Sequence, residues 1–150
     1  MSEADTVFAG SIPEIYDQYL VPLIFQDYAD DLARRVSAGA PRHVLETAAG
    51  SGAVTRAIAA VLPRDASYEV TDLNEPMLDY AKGRLTGDNR ISWRQADAQA
   101  LPFADASFDV VCCQFGAMFF PDRGKAYREA KRDWGAWTFR LQRMGSTCRE

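Results

Sequence analysis

The sequence is poor in the residues that several kinds of function require. Its single histidine, His43, has no companion at ligand spacing, so no metal site is expected. The three cysteines form no disulfide framework: Cys112 and Cys113 are adjacent, and Cys148 stands alone. On a strand, two adjacent side chains point to opposite faces. An odd count without paired spacing suggests reduced thiols and a cytoplasmic protein. No apolar run is long enough to cross a bilayer. Met1 to Gly10 is acidic and lacks the basic-then-apolar pattern of a secretory signal. A net charge of −4, with both signs intermixed, gives no electrostatic reason to expect nucleic acid or an anionic membrane as partner. There is no internal repeat and no low-complexity segment. No carboxylate pair or histidine constellation looks like a dedicated general base, so no catalytic residue is assigned.

What is present is the composition of one globular domain: 150 residues, 47% hydrophobic and 25% charged. Val21, Ile24, Phe25, Tyr28, Leu32 and Val36 recur at helical spacing, and Gly39-Ala40-Pro41 ends that helix. His43-Val44-Leu45 reads as a buried strand running into the loop Glu46-Thr47-Ala48-Ala49-Gly50-Ser51-Gly52. A second helix carries Val54, Ile58, Val61 and Leu62. Tyr68–Thr71 is a strand, and Pro76 sits in the first turn of a third helix bearing Met77, Leu78, Ala81 and Leu85. Ile91–Gln95 and Phe108–Cys113 are further strands, and Arg123–Lys131 a further helix. This alternation predicts an α/β fold: Rossmann-like and doubly wound, with a mostly parallel sheet and helices on both faces.

In such a fold, a glycine-rich loop after the first strand is the usual ligand site. A dinucleotide site asks for G-x-G-x-x-G; Gly50 and Gly52 are here, but Thr55 holds the third position. The G-x-x-x-x-G-K-[ST] phosphate loop is absent. Asp72 follows the loop by about twenty residues and could hold both ribose hydroxyls. It could equally cap the helix after it, as Asp97 could cap a turn at Gln99. Gly50 and Gly52 could serve only a tight turn, Glu46 could be solvated, and Met77 could be core.

Val44 to Gly52 resembles the first motif of class I S-adenosylmethionine-dependent methyltransferases, although that family more often has glycine where this chain has Ala48. Asp72 to Leu78 resembles its second motif. Arg94 to Phe103, with Asp97 and a Leu-Pro-Phe turn, resembles the segment that meets adenine, and Ser107 to Val111 the start of the fourth strand. The likeness runs from about Tyr16 to Lys131 and is nearest the type 11 group, which includes ubiquinone and menaquinone biosynthesis enzymes. It implies S-adenosylmethionine as cofactor and a small-molecule acceptor, without naming the acceptor or an oligomeric state. It further implies that Ala48, Gly50 and Gly52 line the methionine part, that Glu46 orders the loop, and that Asp72 holds the ribose. Leu73 and Met77 would pack on adenine, Asp97 and the Ala98 N–H would read its edge, and Gln114 and Phe115 would lie beside the methionine end. Tyr16 and Tyr19 could close over the pocket or simply pack their helix.

The resemblance divides the chain into an N-terminal arm (1–20), an incomplete cofactor-binding core (21–132) and an atypical tail (133–150). Where the family continues into an apolar pair, Pro-Gly-Gly and a fifth strand, this chain reads Asp133-Trp134-Gly135-Ala136. Reading Phe139 to Gly145 one nucleotide later permits Phe-Val-Phe-Asn-Val-Trp-Asp, which resembles that strand. The tail is therefore expected to be out of frame, the sheet to lack its C-terminal strands, and the fourth strand to present an open apolar edge. Two other readings remain: a non-catalytic S-adenosylmethionine-binding fragment, and an NAD-dependent oxidoreductase, which the missing third glycine counts against.

Overall fold

Val44 and Leu45 are wholly buried on opposite faces of a sheet, and the helical layers are arranged around them. The computed structural model describes residues 11–142. Helix α1 (Ile12–Ile15) passes into a π-helical stretch, Tyr16–Phe25, and then into α2 (Gln26–Ser37). There follow β1 (His43–Glu46), α3 (Ala53–Val61), β2 (Ser67–Asp72), α4 (Glu75–Arg84), β3 (Ile91–Gln95) and β4 (Phe108–Gln114). A short 3-10 turn (Gly116–Phe119), α5 (Arg123–Asp133) and β5 (Trp134–Gln142) end the described chain. The helical segment thus begins at Ile12, well before the stripe that starts at Val21. Pro22 lies inside the π-helical stretch; it can donate no hydrogen bond and its ring crowds the preceding turn, which a wider winding accommodates.

The sheet order is β3-β2-β1-β4-β5, with every described pairing parallel. Val44 pairs with Tyr68 on one side and Val110 on the other; Glu46 pairs with Val70 and Cys112. One face is covered by α2 and α3, through Leu32, Val36, Val54 and Ile58 against Val44, Val70 and Val110. The other face buries Leu45 and Val111 against Leu101 and Ala130. Full burial of side chains such as Val44, Leu45 and Val111 contributes about 1.5–3 kcal/mol each. Cys112 lies in the first cluster, whereas Cys113 turns toward Ala126 and Ala130 of α5, as alternation along a strand requires.

The doubly wound parallel architecture expected from the sequence is present, and no described strands pair antiparallel. One expectation is corrected. β4 does not end as an open edge, because β5 pairs with it from Phe108↔Trp134 to Gln114↔Gln142. Parallel pairing is made by backbone groups, and a run containing Trp, Thr, Phe and Leu has the propensity to extend. Residues 143–150, with Cys148 and the end of the segment expected to be out of frame, lie outside the described residues, as do residues 1–10.

The α5 helix is pinned to the loop before β4. Glu129 accepts a hydrogen bond from the Leu101 N–H at 2.9 Å, and Arg132 donates to the Leu101 and Phe103 carbonyls, each at 2.9 Å. The junction with β5 is less well satisfied. Asp133 is completely buried, lies 2.9 Å from Arg132 Nη2, and has no aligned hydrogen bond on either carboxylate oxygen. The buried indole nitrogen of Trp134 also lacks an acceptor.

Candidate functional site

In an open parallel sheet the ligand crevice lies outside the carboxyl ends of the strands, where the strand order reverses. Here that place is between β1 and β4, since β1 runs on to β2 while β4 lies on its other side. Glu46 to Gly52 leaves β1 there, Asp72 closes β2, Asp97 follows β3, and Gln114 and Phe115 end β4.

The loop is built by left-handed backbone at alternate positions: Ala48 at φ 54°, Gly50 at 59° and Gly52 at 84°. It is tied to both neighbouring strands, by Thr47 N–H to the Cys112 carbonyl and Ala49 N–H to the Thr71 carbonyl, each at 3.0 Å. The two glycines differ. A Cβ on Gly52 would fall 2.8 Å from the Ala81 Cβ, so α4 packs directly on it. A Cβ on Gly50 would meet only the Met77 methyl, at 3.8 Å, so its left-handed φ is what favours glycine there. Met77 itself is buried, while Leu73 is exposed.

Asp72 is the node between β2 and the loop. One oxygen accepts from the Gly50 N–H at 2.7 Å, the other from the Asn74 N–H at 2.8 Å. It does not cap α4; Asn74 does, accepting from the Met77 N–H at 3.0 Å. Burial raises the Asp72 pKa, and the N–H groups of Asn74 and Gly50 hold it back. A carboxylate can accept about four hydrogen bonds, so acceptor capacity remains toward the crevice.

Glu46 is not solvated. It is buried, and its Oε2 accepts from Thr55 Oγ1 at 2.7 Å and Tyr68 Oη at 2.5 Å. Burial pushes its pKa up to about 7, against the two hydroxyls, which lower it. Thr55, the residue in place of a third glycine, therefore serves as a hydroxyl donor beneath the loop. The sequence marked Thr55 only as the residue in place of a third glycine and Tyr68 only as part of a strand, because neither has a local pattern that shows a partner on another element.

Asp97 accepts from the N–H and side-chain amide of Gln99, at 2.8 and 3.2 Å, and so does close the turn there. Ala98 is buried in a small cleft shared with Thr47, Cys113 and Tyr127. Gln114 donates to the Phe25 carbonyl at 3.4 Å, and its buried Oε1 has no partner. Phe115, at φ 60°, packs on Phe25 and Tyr28, with ring centroids 5.2 and 5.3 Å away. Tyr16 stacks on Phe25 at 5.4 Å, whereas Tyr19 is exposed. Gly116, which the sequence reading passed over, is required by Ala48: a Cβ on it would lie 2.3 Å from the Ala48 methyl.

Asp17 was also missed. It is buried where the π-helical stretch crosses α3 and α4, bonded to Arg56 and to Tyr80 Oη at 3.1 Å. The Tyr-x-x-x-Lys spacing of some NAD enzymes, also overlooked, occurs at Tyr127 and Lys131, but Lys131 is exposed on α5.

Fold and crevice together define a doubly wound α/β domain with a candidate ligand site at the carboxyl ends of its strands. The methyltransferase domain family (type 11) matches residues 45–133, and the chain belongs to that family of class I methyltransferases. A demethylmenaquinone methyltransferase from Clavibacter sepedonicus is 41% identical over 83 residues, covering 55% of this chain and 33% of that protein. A ubiquinone/menaquinone biosynthesis C-methyltransferase from Hahella chejuensis is 38% identical over 101 residues, covering 65% and 39%. This chain therefore spans between a third and two fifths of the length of those relatives. Among solved structures, the YcgJ protein of Bacillus subtilis superposes with a TM-score of 0.68 at 27% identity, over 77% of this chain and 50% of that one. Among the described residues, no helix is long and apolar enough to cross a membrane.

Proposed function

We propose that this chain binds S-adenosylmethionine in the crevice at the ends of β1, β2 and β4, and that the protein transfers its methyl group to a small-molecule acceptor. The observation that carries the reading is the pairing of Asp72 with Gly50, which joins a ribose-type carboxylate to the small-residue loop. The chemistry of the site fits the cofactor. Asp72 has lone pairs left for two hydroxyls, and the orphaned Gln114 Oε1 is an acceptor suited to an ammonium group. Gly50, Gly52 and Ala48 would line the amino-acid end through their backbone. Asp97, the Ala98 N–H, Leu73 and Met77 would surround the base, with Phe115 beside the methionine end. Glu46 would act from below, fixing the loop through Thr55 and Tyr68.

Bound there, S-adenosylmethionine supplies a methyl group on a positively charged sulfur. The work of the residues is to orient it, to hold an acceptor in line and to exclude water. No side chain of the described crevice is assigned as a base. The names of the two relatives suggest a carbon of demethylmenaquinone as the first acceptor to try. Calorimetric titration with S-adenosylhomocysteine and with NAD tests the cofactor; binding of NAD alone would overturn the reading.

A non-catalytic cofactor-binding fragment is the second reading. It is favoured by the poorly satisfied Asp133-Trp134 junction, for which an out-of-frame tail from residue 133 would account. If no single-base shift in the gene yields an apolar strand and an extended frame, that account fails. Methyl transfer by a frame-corrected product, and none by this chain, would separate the two functions.

A further inference from the structure

Asp17 is the feature that the cofactor site leaves unused. It belongs to the N-terminal helical segment, yet it is buried among groups from three other places. Arg56 of α3 donates to its Oδ1, and Ser51 of the glycine loop donates to the same oxygen at 3.4 Å. Tyr80 of α4 donates to Oδ2 at 3.1 Å, and Arg84 of α4 stands 3.6 Å from it. Arg56 also donates to the Ser51 carbonyl at 3.1 Å, so one guanidinium joins Asp17 to the loop. Besides Asp17, only Pro13 and Val21 of residues 12–25 are buried; Tyr16 and Phe25 are half-buried, and Ile15, Tyr19 and Leu23 are exposed. A few apolar contacts and one dense ionic cluster therefore hold the segment down. Attachment of that kind can open locally without unfolding the sheet.

We propose that Asp17 is a latch, a positioning residue that fastens the N-terminal helix beside the glycine loop, and that its release sets the rate at which the cofactor leaves. The latch rests on the cofactor reading above. It acts through Ser51 and Arg56 at the start of α3, and the aromatic stack of Tyr16, Phe25 and Phe115 carries the same segment over the end of β4. Opening would therefore expose both ends of the methionine-side crevice together. Asp17→Asn keeps the shape, removes the charge and leaves two arginines without their carboxylate.

The test uses the full chain. Tritiated S-adenosylhomocysteine is bound and chased with unlabelled ligand, and hydrogen exchange is followed at residues 12–25 and in β1, β2 and β4 without ligand. For D17N the expected result is dissociation at least about tenfold faster, association no slower, and faster exchange confined to residues 12–25. A residue that only stabilises the fold would instead speed exchange in the strands and slow association. Arg84→Met, which removes the most distant partner, should give a smaller change of the same kind. Unchanged dissociation in D17N, or unchanged exchange at residues 12–25, overturns the latch and leaves the cofactor reading standing. If the wild-type chain retains no ligand, the cofactor reading falls. Exchange then decides alone whether Asp17 fastens the helix, and no change there sinks it.

Discussion

Two buried carboxylates, Glu46 and Asp133, end neighbouring parts of the same domain and fare differently. Glu46 closes β1 and is met by two hydroxyls, from Thr55 and Tyr68, on two other elements. Asp133 closes α5, is equally buried, and finds one neighbouring guanidinium but no aligned donor. Both are pushed upward in pKa by burial, Glu46 to about 7 and Asp133 to about 6. The first is a polar group that the surrounding sequence is built to satisfy. The second sits where the family resemblance calls for an apolar residue, and the Arg132 guanidinium offsets its burial only in part. Consistency between a buried acid and its neighbours thus holds at the end of β1 and breaks at the last residue of α5.

The sharpest way to break this contrast is to replace each acid by leucine. Glu46→Leu strands two buried hydroxyls and is expected to destabilise by about 2–4 kcal/mol in urea unfolding. A loss well under that would mean the hydroxyls find other partners. Next in size, Gly116→Ala drives a methyl into Ala48 and is expected to lose about 1–3 kcal/mol. Adding Ala48→Gly should recover at least half, because it removes the contact at 2.3 Å and relieves a left-handed alanine together; additive effects would show that the two residues are not coupled. Asp133→Leu should act in the opposite sense, raising stability by about 1–2 kcal/mol, and a neutral or destabilising result would remove Asp133 as a mark of misfit.

The smallest effect is the pH dependence of that last gain. A carboxylate with a raised folded pKa binds protons more readily when folded, so its penalty is present above the raised value and fades as pH falls toward the unfolded one. For Asp133 the window runs from about 6 down to the usual carboxylate value. The advantage of Asp133→Leu over wild type should therefore shrink, and at most vanish, between pH 7 and pH 4 in paired thermal melts. An advantage independent of pH would mean that the Asp133 carboxyl has the same pKa folded as unfolded.

These cases also show what the sequence carries. The bounds of β3 and the place of Pro76 in the first turn of α4 follow from local periodicity and turn chemistry, and so were legible. The crevice loop was legible because its glycines and acid are contiguous. Asp17, Thr55, Tyr68 and Gly116 were not, since each takes its meaning from a partner more distant in the chain: Asp17 from Arg56, Gly116 from Ala48. Asp72 was legible as important but ambiguous in role, and only the Gly50 and Asn74 contacts decide between loop and cap. β5 was misjudged for a related reason, because strand pairing depends on the neighbouring backbone as much as on a family pattern.

The central position of β1 has a consequence for how the molecule comes into being. Val44 must wait for Val110 before both its flanks are covered. On a ribosome, the first strand to be made is therefore among the last to be enclosed, and the glycine loop cannot settle until β4 has emerged. Contacts of such long sequence separation slow folding, and a nascent chain stalled before β4 would hold Val44 and Leu45 exposed to chaperones and proteases.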